Sequence, residues 1–154
     1  MPAAEHREIE RKFLVRKLPD KLENFPHAQI EQGYLALAAD GVQVRMRKAG
    51  ENLSLTYKRN QEDAREEREI TLTPEQFAIL WPATAARRLS KTRYEIPLGH
   101  LVIEIDVYHG RHGGLIVAEV EFADEAEACA FQPPPWLGDD VSRDPRYSNQ
   151  LLAS

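Results

Sequence analysis

The chain of 154 residues has one cysteine, Cys129, which excludes an internal disulfide framework and a cysteine-held metal cluster. It has no apolar run near the ~20 residues that a membrane-crossing helix needs. The opening Met1-Pro2-Ala3-Ala4-Glu5-His6-Arg7 lacks the apolar segment of a secretory signal. A soluble, cytoplasmic protein with no membrane partner is the expectation. Basic residues are in deficit: Lys+Arg 20 against Asp+Glu 25 gives a net charge of −5. A nucleic-acid binder usually carries a basic stripe and a pI above about 9. No nucleic-acid partner is therefore expected, and any anion site has to be built locally. No repeat, low-complexity tract or Ser/Gly linker divides the chain, so one domain over residues 1–154 is expected.

What is present is period-two alternation. Residues 8–15, 30–37, 42–48, 53–58, 66–72, 88–96, 101–108 and 115–122 read as strands. Asp40-Gly41, Ala49-Gly50, Leu98-Gly99 and Gly113-Gly114 supply turns between several of them. Thr73-Pro74-Glu75-Gln76 reads as an N-cap with proline at the first helical position, opening a short helix to about Trp81. A second short helix is expected over 124–131, stopped by Pro133-Pro134-Pro135, and a last one from Asp144-Pro145 through Leu152. Eight strands with few helices predict a mainly β (α+β) fold, an antiparallel sheet either closed on itself or folded as a sandwich.

Side chains at i and i+2 share a face of a strand. Like charges recur at that spacing in Glu8/Glu10, Arg45/Arg47, Glu67/Glu69, Lys91/Arg93, Glu104/Asp106 and Glu119/Glu121. A merely solvated face tends to mix signs, because neighbouring like charges repel. Here acids are segregated onto some strands and bases onto others. A divalent cation relieves the acids and a polyphosphate relieves the bases. Closure into a barrel with those faces inward would invert the usual small barrel, whose interior is apolar.

These residues resemble the CYTH family, the triphosphate tunnel metalloenzymes. The resemblance rests on Glu8-Ile9-Glu10-Arg11-Lys12, Gln32-Gly33-Tyr34-Leu35, Val44-Arg45-Met46-Arg47, Thr56-Tyr57-Lys58, Glu67-Arg68-Glu69-Ile70 and Lys91-Thr92-Arg93-Tyr94. It continues through Glu104-Ile105-Asp106-Val107, Glu119-Val120-Glu121-Phe122 and Asp144-Pro145-Arg146-Tyr147-Ser148-Asn149. It implies an eight-stranded, closed antiparallel β-barrel forming a tunnel with a charged interior and a few flanking helices. It implies Mg²⁺ or Mn²⁺ as cofactor, held by Glu8, Glu10, Glu119 and Glu121, with Glu67, Glu69, Glu104 and Asp106 as supporting acids. Lys12, Arg45, Arg47, Lys58, Lys91 and Arg93 would bind the triphosphate. The compact bacterial members it most resembles hydrolyse inorganic triphosphate to diphosphate and phosphate.

Tyr34 and Lys12 are the candidate catalytic pair: cations near a phenol favour its loss of a proton, so Tyr34 is a candidate base or water-orienting group. The alternative is a strand aromatic that only packs. Within the family, a class IV-type adenylyl cyclase or a thiamine triphosphatase would take another triphosphate-bearing small molecule. Each needs a ring-binding platform, which Trp81 and Trp136 on connectors supply poorly. From another class comes a non-catalytic polyphosphate-binding module, which so many carboxylates would weaken. A lipocalin-like carrier would instead turn the charges outward. Of the remaining signals, His109 and His112 read as hairpin residues rather than a metal pair, and Cys129 as small core filler. A monomer or a homodimer is equally compatible with the sequence.

Overall fold

A computed structural model describes residues 9–60 and 65–154. Glu8, expected on the first strand, lies outside the described residues. In chain order the elements are β1 (Ile9–Val15), β2 (His27–Leu37), β3 (Val42–Ala49), β4 (Asn52–Asn60), β5 (Arg65–Thr71) and α1 (Pro74–Leu80). They continue with β6 (Arg88–Leu98), β7 (Leu101–Tyr108), β8 (Ile116–Phe122), α2 (Glu125–Ala130), β9 (Leu137–Asp140) and α3 (Asn149–Ala153). The mainly β class holds, with two corrections. The described residues form nine strands rather than eight, and β5 and β9 are edge strands, so the sheet is not closed on itself. The ninth strand takes up the free edge of β1, pairing Val15 with Leu137 and Phe13 with Asp140. Leu137-Gly138-Asp139-Asp140 carries no alternation, which is why the pattern did not reveal it.

The chain divides into two compact units, each described by itself: Ile30–Ser90 with Ser148–Ser154, and Ile9–Gln29 with Lys91–Tyr147. In the second, the strand order is β6-β7-β8-β1-β9. Its apolar face buries Phe13, Ile103, Ile105, Ala118 and Val120 in one cluster with Ala128 of α2, Leu22 and Leu137. Helix α2 starts where Asp124 accepts the Glu127 N–H at 2.8 Å and stops before the prolines. The one basic residue on the apolar side of β1, Arg11, closes that helix. It donates to the carbonyls of Ala128 (2.9 Å) and Phe131 (3.3 Å) and to Asp140 Oδ2, with its guanidinium over the Phe13 and Phe131 rings. Helix-end carbonyls, a carboxylate and two ring faces thus compensate its charge. Cys129, expected as core filler, is exposed; on this short helix it is the neighbouring Ala128 that turns inward.

In the first unit the order is β5-β4-β3-β2. Thr73 caps the start of α1, as the sequence predicts, and Gln76 makes the cap a reciprocal capping box. The α-helix ends at Leu80 and the chain continues as a 3₁₀ turn over Trp81–Thr84. That turn fits tightly against β2. A Cβ on Gly33 would lie 2.6 Å from both Cβ and Oγ1 of Thr84. Thr84 is 1% exposed and cannot swing aside, because its hydroxyl donates to the Trp81 carbonyl (2.7 Å) and accepts from Arg88 Nε (2.9 Å). Gly33→Ala is expected to lower stability by about 1–3 kcal/mol through overpacking. The check is a urea midpoint shifted down with an unchanged slope; a midpoint equal to wild type would mean that the turn lifts away freely.

The last helix is split. A 3₁₀ turn over Pro145–Tyr147 precedes α3, which Ser148 recaps by accepting the Leu151 N–H at 3.4 Å. In the first unit, Gln43 of β3 hydrogen-bonds Gln150 of α3, while Leu152 and Ala153 are buried.

Candidate active site

The register of the second unit brings one charged face together. Glu10 pairs with Glu121 and Lys12 with Glu119 across β1 and β8. Glu104 pairs with Glu119 across β7 and β8, and Arg93 pairs with Asp106 across β6 and β7. Because cross-strand partners share a face, all these side chains project from the side opposite the apolar cluster. Within this unit the charged face and the covered apolar face are therefore segregated as the alternation predicted.

Asp106 is the hub. It is 1% exposed; its Oδ2 accepts Lys91 Nζ at 2.7 Å and Arg93 Nη2 at 2.9 Å, and its Oδ1 accepts Arg93 Nε at 2.8 Å. Burial alone would raise its carboxyl, but Lys91 and Arg93 together hold it far below the usual carboxylate range. Arg93 reaches Glu104 as well, at 2.9 Å. Lys91 is fully buried and lies 5.5 Å from the centroid of the Tyr108 ring. Lys12 Nζ sits 3.3 Å from Glu119 and donates to the Tyr147 carbonyl at 3.0 Å. Glu119 is lowered: burial works against it, and Lys12 leads the cations that outweigh burial. Glu104 is raised, first by burial and then by Glu119, Asp106 and Glu95, against the opposing pull of Arg93. An open cleft of about 460 Å³ lies at this end of the face, lined by Glu95, Glu104 and Glu121 with His100 and Val102.

Four carboxylates, Glu10, Glu121, Glu119 and Glu104, thus occupy adjacent register positions, and Glu119 adds to the burial that raises Glu104. Oxygen donors in excess fit a hard divalent cation with waters completing its shell. Among the described residues no three acidic or imidazole groups converge as a preformed cage.

The first unit carries a second charged face. Gln32 pairs with Arg47 and Tyr34 with Arg45 across β2 and β3; Arg45 pairs with Thr56 across β3 and β4. Thr56 pairs with Glu69 and Lys58 with Glu67 across β4 and β5. Thr56 donates to Glu69 at 2.7 Å and takes a 3.5 Å contact from Arg45 Nη2. Lys58 lies 3.9 Å from Glu67. Arg47 donates through Nε (3.0 Å) and Nη2 (2.8 Å) to Gln32 Oε1. Arg45 is 7% exposed, and its Nε is buried with no acceptor among the described residues. Tyr34 departs from the sequence argument: burial raises its phenol, outweighing Arg45 and Arg47. Gln32 and Thr56, both fully buried, were not singled out from sequence as site residues. The signal for them was their place at i−2 of Tyr34 and of Lys58.

A sequence model of the CYTH domain matches residues 6–148. The chain belongs to the CYTH family. A CYTH relative, an inorganic triphosphatase of Nitrosomonas europaea, is 45% identical over 149 residues, covering 95% of this chain and 96% of that protein. A crystal structure of an inorganic triphosphatase superposes with a TM-score of 0.75 at 42% identity, covering 96% of this chain and 95% of the other. A conserved hypothetical protein from Pyrococcus furiosus, at 20% identity and a TM-score of 0.58 over 79% of this chain and 82% of the other, shares the CYTH fold.

Proposed function

We propose that this CYTH protein is a metal-dependent hydrolase that converts inorganic triphosphate to diphosphate and phosphate. The observation that carries the reading is the buried Arg45 Nε with no acceptor among the described residues. A guanidinium nitrogen so placed costs on the order of 1–3 kcal/mol unless an anion supplies its acceptor. The 45% identical inorganic triphosphatase of Nitrosomonas europaea supports triphosphate as that anion.

In the reaction a water oxygen bonds to the terminal phosphorus, the water gives up a proton, and the bridging oxygen leaves with diphosphate. Charge spreads over the terminal and bridging oxygens, so fixed cations stabilise the transition state. Lys12, Arg45, Arg47, Lys58, Lys91 and Arg93 are assigned to phosphate binding. Glu8, Glu10, Glu119 and Glu121 would hold Mg²⁺ or Mn²⁺, which when bound polarises phosphate oxygens and makes water a better nucleophile. Of the supporting acids, Asp106 orients Lys91 and Arg93, and its lowered carboxyl is a poor proton acceptor. Glu104, held above the usual range, is the better acceptor for the proton of the attacking water. Glu67 and Glu69 support Lys58 and Thr56. Tyr34, kept protonated by burial, acts as a neutral orienting hydroxyl rather than as a phenolate base.

Phosphate release from inorganic triphosphate, ATP and thiamine triphosphate, each with Mg²⁺, Mn²⁺ or EDTA, tests the assignment. Turnover favouring inorganic triphosphate and abolished by EDTA is expected. Preference for ATP or thiamine triphosphate would move the protein to another CYTH activity, and binding without release would make it a polyphosphate-binding module. Tyr34→Phe is expected to cost turnover about tenfold, the size of one oriented hydrogen bond. A loss of a thousandfold would restore the phenolate base.

A further inference from the structure

Residues 141–147, which follow β9, run back to Lys12 and hold it twice, at its backbone and at its ammonium. At the backbone, the Val141 N–H donates to the Lys12 carbonyl at 2.8 Å, and the Lys12 N–H donates to Ser142 Oγ at 2.9 Å. A side-chain hydroxyl thus stands where a ladder carbonyl would accept. Asp140 sets the direction of that hydroxyl. Its Oδ1 only accepts, so it takes the Ser142 hydroxyl proton as well as the Ser142 N–H (2.9 Å) and leaves a lone pair of Ser142 for Lys12. At the other end, Lys12 Nζ donates to the Tyr147 carbonyl at 3.0 Å. Asp144 shapes the stretch between the two grips. Its N–H closes on the Val141 carbonyl at 3.0 Å, and its carbonyl accepts the Tyr147 N–H at 3.2 Å. Its Oδ1 accepts the Arg146 N–H at 3.0 Å, a turn made by the side chain.

We infer that Ser142 and Asp144 are positioning residues for triphosphate recognition, holding the Lys12 side chain in one place through its backbone and through the Tyr147 carbonyl. This rests on the proposed phosphate-binding role of Lys12. A lysine carries a compact charge on a flexible four-carbon stem, and a stem left loose loses its rotamer freedom each time it binds. Glu119, 3.3 Å from the ammonium, would by itself draw Lys12 toward its own oxygens. The Tyr147 carbonyl supplies a second, fixed acceptor that adds no net charge. That acceptor is a main-chain atom, so its place depends on the turn that Asp144 makes rather than on the tyrosine ring.

The test is a pair of double-mutant cycles, Ser142→Ala and Asp144→Ala, each with Lys12→Ala. Triphosphate KM and kcat are followed in Mg²⁺, together with calorimetric binding of inorganic triphosphate. Each alanine substitution is expected to raise KM about fivefold, the scale of one hydrogen bond, with a smaller change in kcat. Ser142→Thr keeps the hydroxyl and Asp144→Asn keeps the turn acceptor, so both are expected to stay within twofold of wild type. In the Lys12→Ala background the two alanine substitutions are expected to change the calorimetric Kd less than twofold. An equal effect in both backgrounds overturns the inference, because a merely structural role would act without Lys12. An unchanged KM in either folded alanine variant overturns the assignment of that residue, and Asp144→Asn as impaired as Asp144→Ala overturns the role of the turn. The side chain of Asp144 bonds to the highly exposed Arg146, so Asp144→Ala keeps the fold and decides alone if Ser142→Ala does not fold. Wild-type protein that binds triphosphate without cleaving it removes the hydrolase reading, while the calorimetric cycles still decide the roles of Ser142 and Asp144. Wild-type protein that does not bind triphosphate overturns both.

Discussion

Asp106→Asn is expected to destabilise the protein by about 3–5 kcal/mol, the cost of leaving a buried charge without its counter-ion. The substitution preserves shape but sets an amide N–H toward Lys91 or Arg93, and it leaves Lys91, fully buried, without the carboxylate 2.7 Å away. Chemical denaturation at pH 7 reads the loss. A change under about 1 kcal/mol would mean that water or the neighbouring Glu104 and Glu119 take over the pairing. The same group sets a pH dependence. Its folded-state carboxyl is depressed from an ordinary 3.8, so its contribution is present above that value and is lost as pH falls below it. Glu119, also lowered, acts in the same direction. Glu104, raised, acts oppositely, binding its proton more tightly when folded. Wild type is expected to lose stability on acidification below about pH 4, and Asp106→Asn to show a flatter profile over the same range.

Glu119→Gln is the second large effect, and it falls on turnover. Glu119 stands opposite both Lys12 and Glu104 in the register and 3.3 Å from the Lys12 ammonium. On the proposed assignment the amide removes a charged oxygen donor for the cation, and it slackens the hold on Lys12. A loss in kcat of about 10²–10³-fold is expected, comparable with removing one preorganised electrostatic group from an active site. Relief of the crowding at Glu104 should offset part of the structural cost, so the variant should stay folded. Activity within tenfold of wild type at saturating Mg²⁺ would take Glu119 out of the metal-binding set.

Alternation made the charged faces legible, because strand side chains have a period of two and like charges stood two apart. It placed Lys12 with Glu10, Lys91 with Arg93 and Glu119 with Glu121 on one face of their own strands; the register then set Lys12 opposite Glu119 and Arg93 opposite Asp106. It did not reveal β9, whose four residues have neither alternation nor β-branched side chains and which exists because β1 offers an edge. It also misjudged Tyr34. Sequence gives the cations near the phenol but not the burial that outweighs them. Gln32 stayed inconspicuous because a neutral amide contributes nothing to a pattern of charge; only its two bonds to Arg47 mark it. The exposure of Cys129 depends on which side of a six-residue helix meets the sheet, and so short a helix carries too little periodicity to say.

The pairing of β1 has a consequence for how the chain acquires its structure. Its neighbours β8 and β9 lie about a hundred residues or more downstream, whereas β3, β4 and β5 follow one another within a few residues of chain. At the usual rate of synthesis, β1 leaves the ribosome on the order of ten seconds before either neighbour exists. During that wait a segment carrying Phe13, Leu14 and Val15 has both edges unpaired and its apolar side uncovered. The hairpin strands β3 to β5 can form at once, and β1 joins last despite being early in the chain. Chains released before Ile116 would present that strand to one another, so incomplete products of this protein are the species expected to aggregate.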